Sequence, residues 1–416
     1  MLIVMSGLDY SQAPIELREQ LSFTKTQVGM LDKRICEKSA GVLGCVLLST
    51  CNRTEIYLSC EEEAKVLPGQ LLCEVAGADY TLFSDSFVTR RNRVAVRHLM
   101  EVAGGLRSQI WGEDQIISQV KTAIVTAREA GAADPVLETL FRNAVAAGKE
   151  IKTKIRLTNV ATSAAARAVE VLKEAMGGLD GRRALVIGNG EMGRLAASLL
   201  CQEGSAVTVT LRTYRHGATV VPPGCGVTPY EARFSAMENA DIVLSATTSP
   251  HFTITAGQAA ALRSLPPYIV DLAMPRDVDP EVANLPGTTL YNVDTLGAEQ
   301  HRGQVPSQVK EILDEYMGRF YGWEHYRKCL PALEELKVAV TERILSYPEL
   351  EQELEPGELA ALSAGKAVDL IAGALKECFG PEDLERCVEK IRIHTAVRSR
   401  EKGEHGGKNI SFPTVC

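Results

Sequence analysis

Arg183-Ala184-Leu185-Val186-Ile187 reads as a short buried strand, and it runs directly into Gly188-Asn189-Gly190-Glu191-Met192-Gly193 and a helical pattern through Leu200. No other stretch constrains the fold as strongly. In a chain with 34 glycines a G-x-G-x-x-G string alone says little. Between a strand and a helix it has a physical reading: the turn needs a glycine, the second glycine lets a pyrophosphate approach the backbone, and the helix N-terminus supplies N–H donors. Gly188, Asn189, Gly190, Glu191, Met192 and Gly193 are therefore the expected cofactor-binding turn. The next strand, residues 206–211, ends in Arg212-Thr213-Tyr214-Arg215 instead of the Asp or Glu that would hold a ribose 2′-hydroxyl. Arg212 and Arg215 suit a 2′-phosphate, which favours NADP over NAD. Further buried strands at 241–248 and 268–272 give a doubly wound, Rossmann-type NADP domain over 159–295.

With 416 residues the chain needs more than one core, and 45% hydrophobic with 24% charged residues is ordinary globular composition. A net charge of −8 argues against nucleic-acid binding over the whole surface, so any RNA contact is regional. The eleven cysteines include no C-x-x-C pair, which speaks against zinc or a redox dithiol and for a reducing cytoplasm. The seven histidines form no H-E-x-x-H, and no metal is expected. Neither an export leader nor an apolar run long enough to span a membrane is read from the chain.

Residues 1–158 read as an α+β catalytic domain. Val46-Leu47-Leu48-Ser49 is a strand covered on both faces, and it stops at Thr50-Cys51-Asn52-Arg53-Thr54-Glu55, too polar to remain inside. Residues 55–60 form a neighbouring strand. Cys51 is thus placed at a strand end beside Arg53, and a nearby guanidinium favours the thiolate, the nucleophilic form. Its bland alternative is a cysteine filling core space. From 90 to 177 the pattern is helical, interrupted at 104–115 by a glycine-punctuated connector rich in hydrogen-bonding side chains, the kind that carries ligands. Lys149, Lys152 and Arg156 share a helix face that is either solvated surface or a phosphate contact. Residues 296–416 read as a long helix with an apolar stripe from Val309 to Trp323, kinked at Pro331, then two further helices. Such a stripe packs on another domain or a second subunit.

A thiol nucleophile and a nicotinamide in one chain point to reduction of a thioester-bound acyl group to an aldehyde, with Arg53 free to hold a substrate carboxylate. Composition and spacing leave the acyl donor open. Gly7-Leu8-Asp9, Ala13-Pro14-Ile15-Glu16-Leu17-Arg18-Glu19, Ser49 to Glu55, Gly105 to Lys121 and Asp271 to Pro280 together resemble, over about residues 4–330, the glutamyl-tRNA reductase family. One departure is Asp114, where the family has proline.

The resemblance implies that Cys51 attacks the ester joining glutamate to its tRNA and that NADPH then reduces the glutamyl thioester to glutamate-1-semialdehyde, the first step toward 5-aminolevulinate and tetrapyrroles. It places Thr50, Asn52, Arg53, Ser108, Glu113, Asp114, Gln115 and Gln119 around the glutamyl group. His98 would be a catalytic histidine, whereas its helical surroundings alone read as a satisfied core histidine. Arg90, Arg91, Arg93 and the 149-152-156 face would meet tRNA phosphate. A spinal helix and helical dimerisation region giving a homodimer, and glutamate-1-semialdehyde aminomutase as a partner, are further implications, although residues 357–416 depart from the family pattern. The competing readings are an NADP-dependent reductase of another acyl thioester and a noncatalytic tRNA- or partner-binding paralogue.

Overall fold

The computed structural model describes residues 2–110, 112, 115–155, 163–212, 220–297, 305–350, 355–376 and 380–401. Of the candidates above, Glu113, Asp114, Arg156 and Arg215 lie outside the described residues. The chain divides into two compact units, Met1–Glu324 and His325–Cys416.

The first unit opens with β1 (Leu2–Asp9), α1 (Ile15–Arg18), α2 (Lys25–Lys38), β2 (Val42–Ser49), β3 (Arg53–Cys60), α3 (Pro68–Ala76) and β4 (Val88–Arg91). The strands form an antiparallel sheet in the order β2-β3-β1-β4. Side chains alternate across it, so both faces must be covered. Ile3, Met5, Val46, Leu48 and Tyr57 pack against α4 (Asn92–Ala103), α5 (Gln115–Glu129) and α6 (Pro135–Lys154), while Val4, Cys45, Leu47, Ile56 and Leu58 pack against α2 and α3. This two-sided cover is why β2 reads as one continuous apolar run. The helices are started locally: Thr24 and Gln27 form a reciprocal capping box before α2, and Asp134 caps α6 just ahead of Pro135.

Asp32 on α2 is the exception in this core. It is fully buried, its Oδ1 accepts from Cys45 Sγ at 3.5 Å, and its Oδ2 has no partner. Burial, only partly offset by Cys45 and the Leu47 backbone, pushes its carboxyl up to about 8. The folded chain therefore keeps a proton that the unfolded chain has released, and stability falls as pH rises from about 4 toward the folded value. Asp32→Asn is expected to flatten that slope and to be about 2 kcal/mol more stable than the parent at pH 8. Urea unfolding at pH 5 and pH 8 checks this; identical slopes would mean that Asp32 is ionised in the fold.

Next come α7 (Ala164–Met176), β5 (Arg183–Ile187), α8 (Glu191–Gln202), β6 (Ala206–Leu211), β7 (Gly226–Pro229), α9 (Arg233–Met237), β8 (Ile242–Ser245), α10 (Ala256–Ala260), β9 (Tyr268–Asp271), β10 (Thr289–Asn292) and α11 (Val293–Gly297). All six strands are parallel, in the order β10-β9-β8-β5-β6-β7, with α7 and α8 on one face and α9 and α10 on the other. The chain winds outward from β5 to β7, then returns to β8 and winds the other way. That reversal opens a crevice beyond the carboxyl ends of β5 and β8. The fold is thus multidomain α/β, with an N-terminal α+β part and a doubly wound sheet.

The long helix α12 (Ser307–Leu345) passes through Pro331 without ending. The stripe expected to need a partner finds one within the first unit, since Val309, Ile312, Leu313, Tyr316, Met317 and Phe320 join the core that covers the N-terminal sheet. In the second unit, α13 (Pro356–Leu375) and α14 (Pro381–Glu401) leave Leu359, Val368, Leu384, Val388 and Ile391 exposed. Among the described residues, no helix is long and apolar enough to cross a membrane.

Candidate active site

Cys51 sits at the tip of the β2–β3 hairpin. Thr50 N donates to Arg53 O at 2.9 Å, and the Thr50 hydroxyl accepts from the backbone of Asn52 and Arg53, both at 3.2 Å. A threonine that folds its side chain onto the following backbone holds a tight turn, and the half-buried thiol is carried at its apex. Asn52 is buried beneath it, with its carbonyl accepting from Tyr10 N at 3.0 Å.

β3 explains what lies under the tip. Arg53, Glu55 and Tyr57 alternate onto the face that meets α4 and α6, so two charged side chains enter a core. Arg53 is 2% exposed, with Nη1 2.7 Å from Glu55 Oε1 and Nη2 donating to the carbonyl of Arg107. The other Glu55 oxygen accepts from Tyr57 Oη at 2.6 Å. His98 enters from α4, its Nε2 2.8 Å from Glu55 Oε1 and its Nδ1 buried without a partner. Burial works against ionisation of Glu55, but the His98 ring and the Arg53 guanidinium outweigh it and hold the carboxyl well below the usual range. Two expectations change here. Arg53 is not free: Glu55 and the carbonyl of Arg107, which belongs to the 104–110 connector, hold its guanidinium. His98 contacts Glu55, which stands between its Nε2 and the Arg53 guanidinium.

The connector also carries Ser108, which is buried and whose carbonyl accepts from Tyr10 Oη at 3.3 Å. Gln115 and Gln119, half-buried on the first turns of α5, line a cleft of about 360 Å³ with Ser49, Thr122, Glu191 and Met192. This cleft joins the foot of the cysteine hairpin to the glycine turn.

At that turn Gly188 has φ 107°, and a Cβ there would lie 2.5 Å from the Ala246 carbonyl oxygen. A Cβ on Gly193 would lie 2.0 Å from Gly188 O, so the helix packs on the turn only as glycine. Gly190 has nothing within 4 Å of its would-be Cβ, which leaves its backbone open to an approaching phosphate. Asn189 Nδ2 donates to Val220 O at 3.1 Å and its Oδ1 is buried without a partner, while Glu191 and Met192 open α8. Arg212 is exposed at the end of β6 with its guanidinium 4.7 Å over the Tyr230 ring, and Arg233 lies 4.2 Å from the same ring. An open glycine and two crowded ones suit a dinucleotide cofactor. Among the described residues no group of three His, Cys, Asp or Glu could hold a metal ion.

The family model for the glutamyl-tRNA reductase N-terminal domain matches residues 6–155, and that for shikimate/quinate 5-dehydrogenase matches residues 170–298. Glutamyl-tRNA reductase of Acetivibrio thermocellus is 43% identical over 333 residues, covering 79% of this chain and 99% of that protein. The Alkaliphilus oremlandii protein of the same name is 41% identical with the same coverage. This chain belongs to the glutamyl-tRNA reductase family. The solved glutamyl-tRNA reductase from Methanopyrus kandleri aligns over 96% of this chain and 98% of that one, at 27% identity and a TM-score of 0.45.

For a member of this family, whose second domain takes a nicotinamide cofactor, the contacts between the two domains matter as much as the hairpin, and here the sequence was silent. Arg18 is buried; its Nη1 donates to Cys51 O at 2.6 Å and its Nη2 to the Asp294 carboxylate at the start of α11. Gln109 Nε2 donates to Asp294 O at 3.2 Å, and its Oε1 is buried without a partner. Arg276 reaches back to Glu19 at 2.7 and 3.0 Å and to Glu16 at 2.9 Å. Nearby, burial first and then the Asp277 charge raise Asp271 to about 7. Arg18 lay inside a quoted motif without a role, and Asp294 lay in no motif. The usable signal was at Glu55, an acid two residues from Arg53 and so on the same face of a strand that is buried along its whole length.

Proposed function

We propose that this chain reduces the glutamyl group of glutamyl-tRNA to glutamate-1-semialdehyde and so begins 5-aminolevulinate and tetrapyrrole synthesis, with Cys51 as the covalent carrier. The observation that supports it best is the cleft in which Ser49, Gln115 and Gln119 face Glu191 and Met192, because a thioester made at the hairpin must meet a hydride delivered from the glycine turn. The Cys51 thiolate attacks the ester carbonyl; the C–O bond breaks, and the tRNA 3′-hydroxyl leaves with a proton. The nicotinamide supplies hydride to the thioester carbon. Hydride addition leaves a hemithioacetal oxyanion on Cys51, which collapses to the aldehyde and expels the thiolate, restoring Cys51.

In this reading Thr50, Asn52, Ser108, Glu113, Asp114, Gln115 and Gln119 hold the glutamyl group, and Arg53 takes its carboxylate once the connector shifts. His98 tunes Glu55 beneath them. Arg212 stacked on Tyr230, with Arg215, selects NADPH. The chain works as a homodimer in the cytoplasm, supported by the apolar side chains exposed on α13 and α14, and hands its aldehyde to an aminomutase.

The deciding experiment incubates the purified chain with glutamyl-tRNA and NADPH and assays semialdehyde, with NADH in a parallel reaction. Formation with NADPH and at least about tenfold slower formation with NADH are expected, since removal of the 2′-phosphate removes a charge-assisted contact to arginine. No product, or reduction of free acyl thioesters without tRNA, would defeat the proposal. Equal rates with the two cofactors would defeat the arginine assignment alone.

A further inference from the structure

Cys201 closes the last turn of α8, the helix that starts at the glycine turn, and Cys225 stands just before β7. Their Sγ atoms lie 3.3 Å apart, and both are half-buried free thiols. The approach is built into the backbone. Pro222-Pro223-Gly224-Cys225 is a tight turn closed by Cys225 N donating to Pro222 O at 3.2 Å, with Gly224 at φ 86°, the positive value that a type II turn needs after its proline. On the other side, Leu195, Leu199 and Leu200 bed α8 on the core of the second sheet. Spacing in the sequence could not show this pair, because its members stand 24 positions apart.

We propose that Cys201 and Cys225 form a reversible disulfide site, and that closing the bond weakens dinucleotide binding at the glycine turn. The bond is about 2.05 Å long, so closure draws the sulfurs together by roughly 1.2 Å. The helix is anchored in a core, and the Pro222–Cys225 turn is the part that must move. Val220, two residues before that turn, accepts from Asn189 Nδ2, the bond that fixes the amide of the second residue in the glycine turn. Pulling the turn toward α8 stretches that bond and loosens the loop facing the pyrophosphate.

The chemistry needs a small-molecule disulfide as oxidant. Two S–H bonds break and one S–S bond forms; the two electrons and two protons pass to the oxidant, which leaves as two thiols, and a dithiol reductant reverses the step. Burial first, then the bond that Cys225 S–H makes to Cys201, push the Cys225 thiol up to about 12, so exchange through the Cys225 thiolate is slow at neutral pH and follows sustained oxidation. Loosened binding rests on the dinucleotide reading of the glycine turn; bond formation does not.

The test uses the full chain carrying Cys51→Ser, so that the hairpin thiol does not react. The reduced protein is exposed to oxidised glutathione, its linked peptides are mapped by mass, and NADPH affinity is titrated by fluorescence beside a Cys51→Ser/Cys201→Ser double variant. A Cys201–Cys225 linkage is expected, with NADPH Kd raised about fivefold, as for the loss of one ordinary hydrogen bond. Dithiothreitol should restore the affinity, and the double variant should not respond. Absence of the linkage when the exposed Cys387 is fully modified would overturn the proposal, as would a linkage that leaves Kd unchanged. A reduced chain that binds no NADPH would instead sink the dinucleotide reading, and the effect on binding with it.

Discussion

Cys51→Ser is expected to fold as the parent does and to lose glutamyl reduction by at least about a thousandfold. A serine hydroxyl at neutral pH is almost wholly protonated, and an alkoxide would be a far poorer leaving group than the thiolate when the hemithioacetal collapses. The turn itself should survive, because its backbone is held by the Thr50 hydroxyl and by Arg18 on the Cys51 carbonyl, neither of which the substitution touches. The informative measurement omits NADPH. With glutamate-labelled glutamyl-tRNA, the parent should release tRNA and retain label as an acid-stable, hydroxylamine-labile adduct, while the variant retains none. A variant that reduces at the parental rate, or a parent whose label sits on another residue, would remove Cys51 from the mechanism.

What could be read from the sequence was whatever rests on local rules. The parallel sheet followed from apolar runs separated by helical patterns, and the glycine turn from the demands of a close backbone approach, which the crowding at Gly188 and Gly193 and the open space at Gly190 now explain atom by atom. The hairpin was legible because β2 ends where polarity begins. What could not be read lies in contacts distant along the chain. Nothing near Arg18 announces Asp294, and nothing near Arg276 announces Glu16 and Glu19. Position beside Cys51 singled out Arg53 and the resemblance singled out His98, yet only the packing of β3 on α4 shows that both are bound to Glu55. The apolar stripe of α12 was visible as a stripe, but periodicity names no partner; the N-terminal core turned out to be one.

These long-range contacts bear on how the two domains cooperate. Arg18 holds the Cys51 carbonyl with one nitrogen and a residue beyond the second sheet with another, and Arg276 fastens the loop after β9 to the segment that carries Arg18. Arg18 and Arg276 are buried, Asp294 and Glu19 half-buried and Glu16 exposed, so the link between the second sheet and the Cys51 turn runs partly through the interior. A displacement at either end of such a network would carry to the other through these contacts.

Glu55→Gln is expected to destabilise the chain by about 3–5 kcal/mol at pH 7, because it leaves the buried Arg53 charge without its close partner. Asp9, 3.8 Å from Arg53 Nη1, compensates little at that distance. In melting temperature this corresponds to a fall of roughly 10 °C. The sign of the pH dependence follows from the depressed carboxyl: its stabilising contribution is present above the unfolded value near about 4.3 and is lost as pH falls through that value toward the folded one. The parent should thus lose its advantage over the variant below about pH 4, where the unfolded chain takes up the proton that Glu55 refuses in the fold. Urea unfolding of both proteins at pH 7 and pH 3.5 reads this directly. Activity should fall as well, since Arg53 leads out of the Cys51 turn and its guanidinium holds the connector that carries Ser108. A variant as stable as the parent at pH 7 would show that the Arg53 charge is satisfied elsewhere and that Glu55 serves His98 alone.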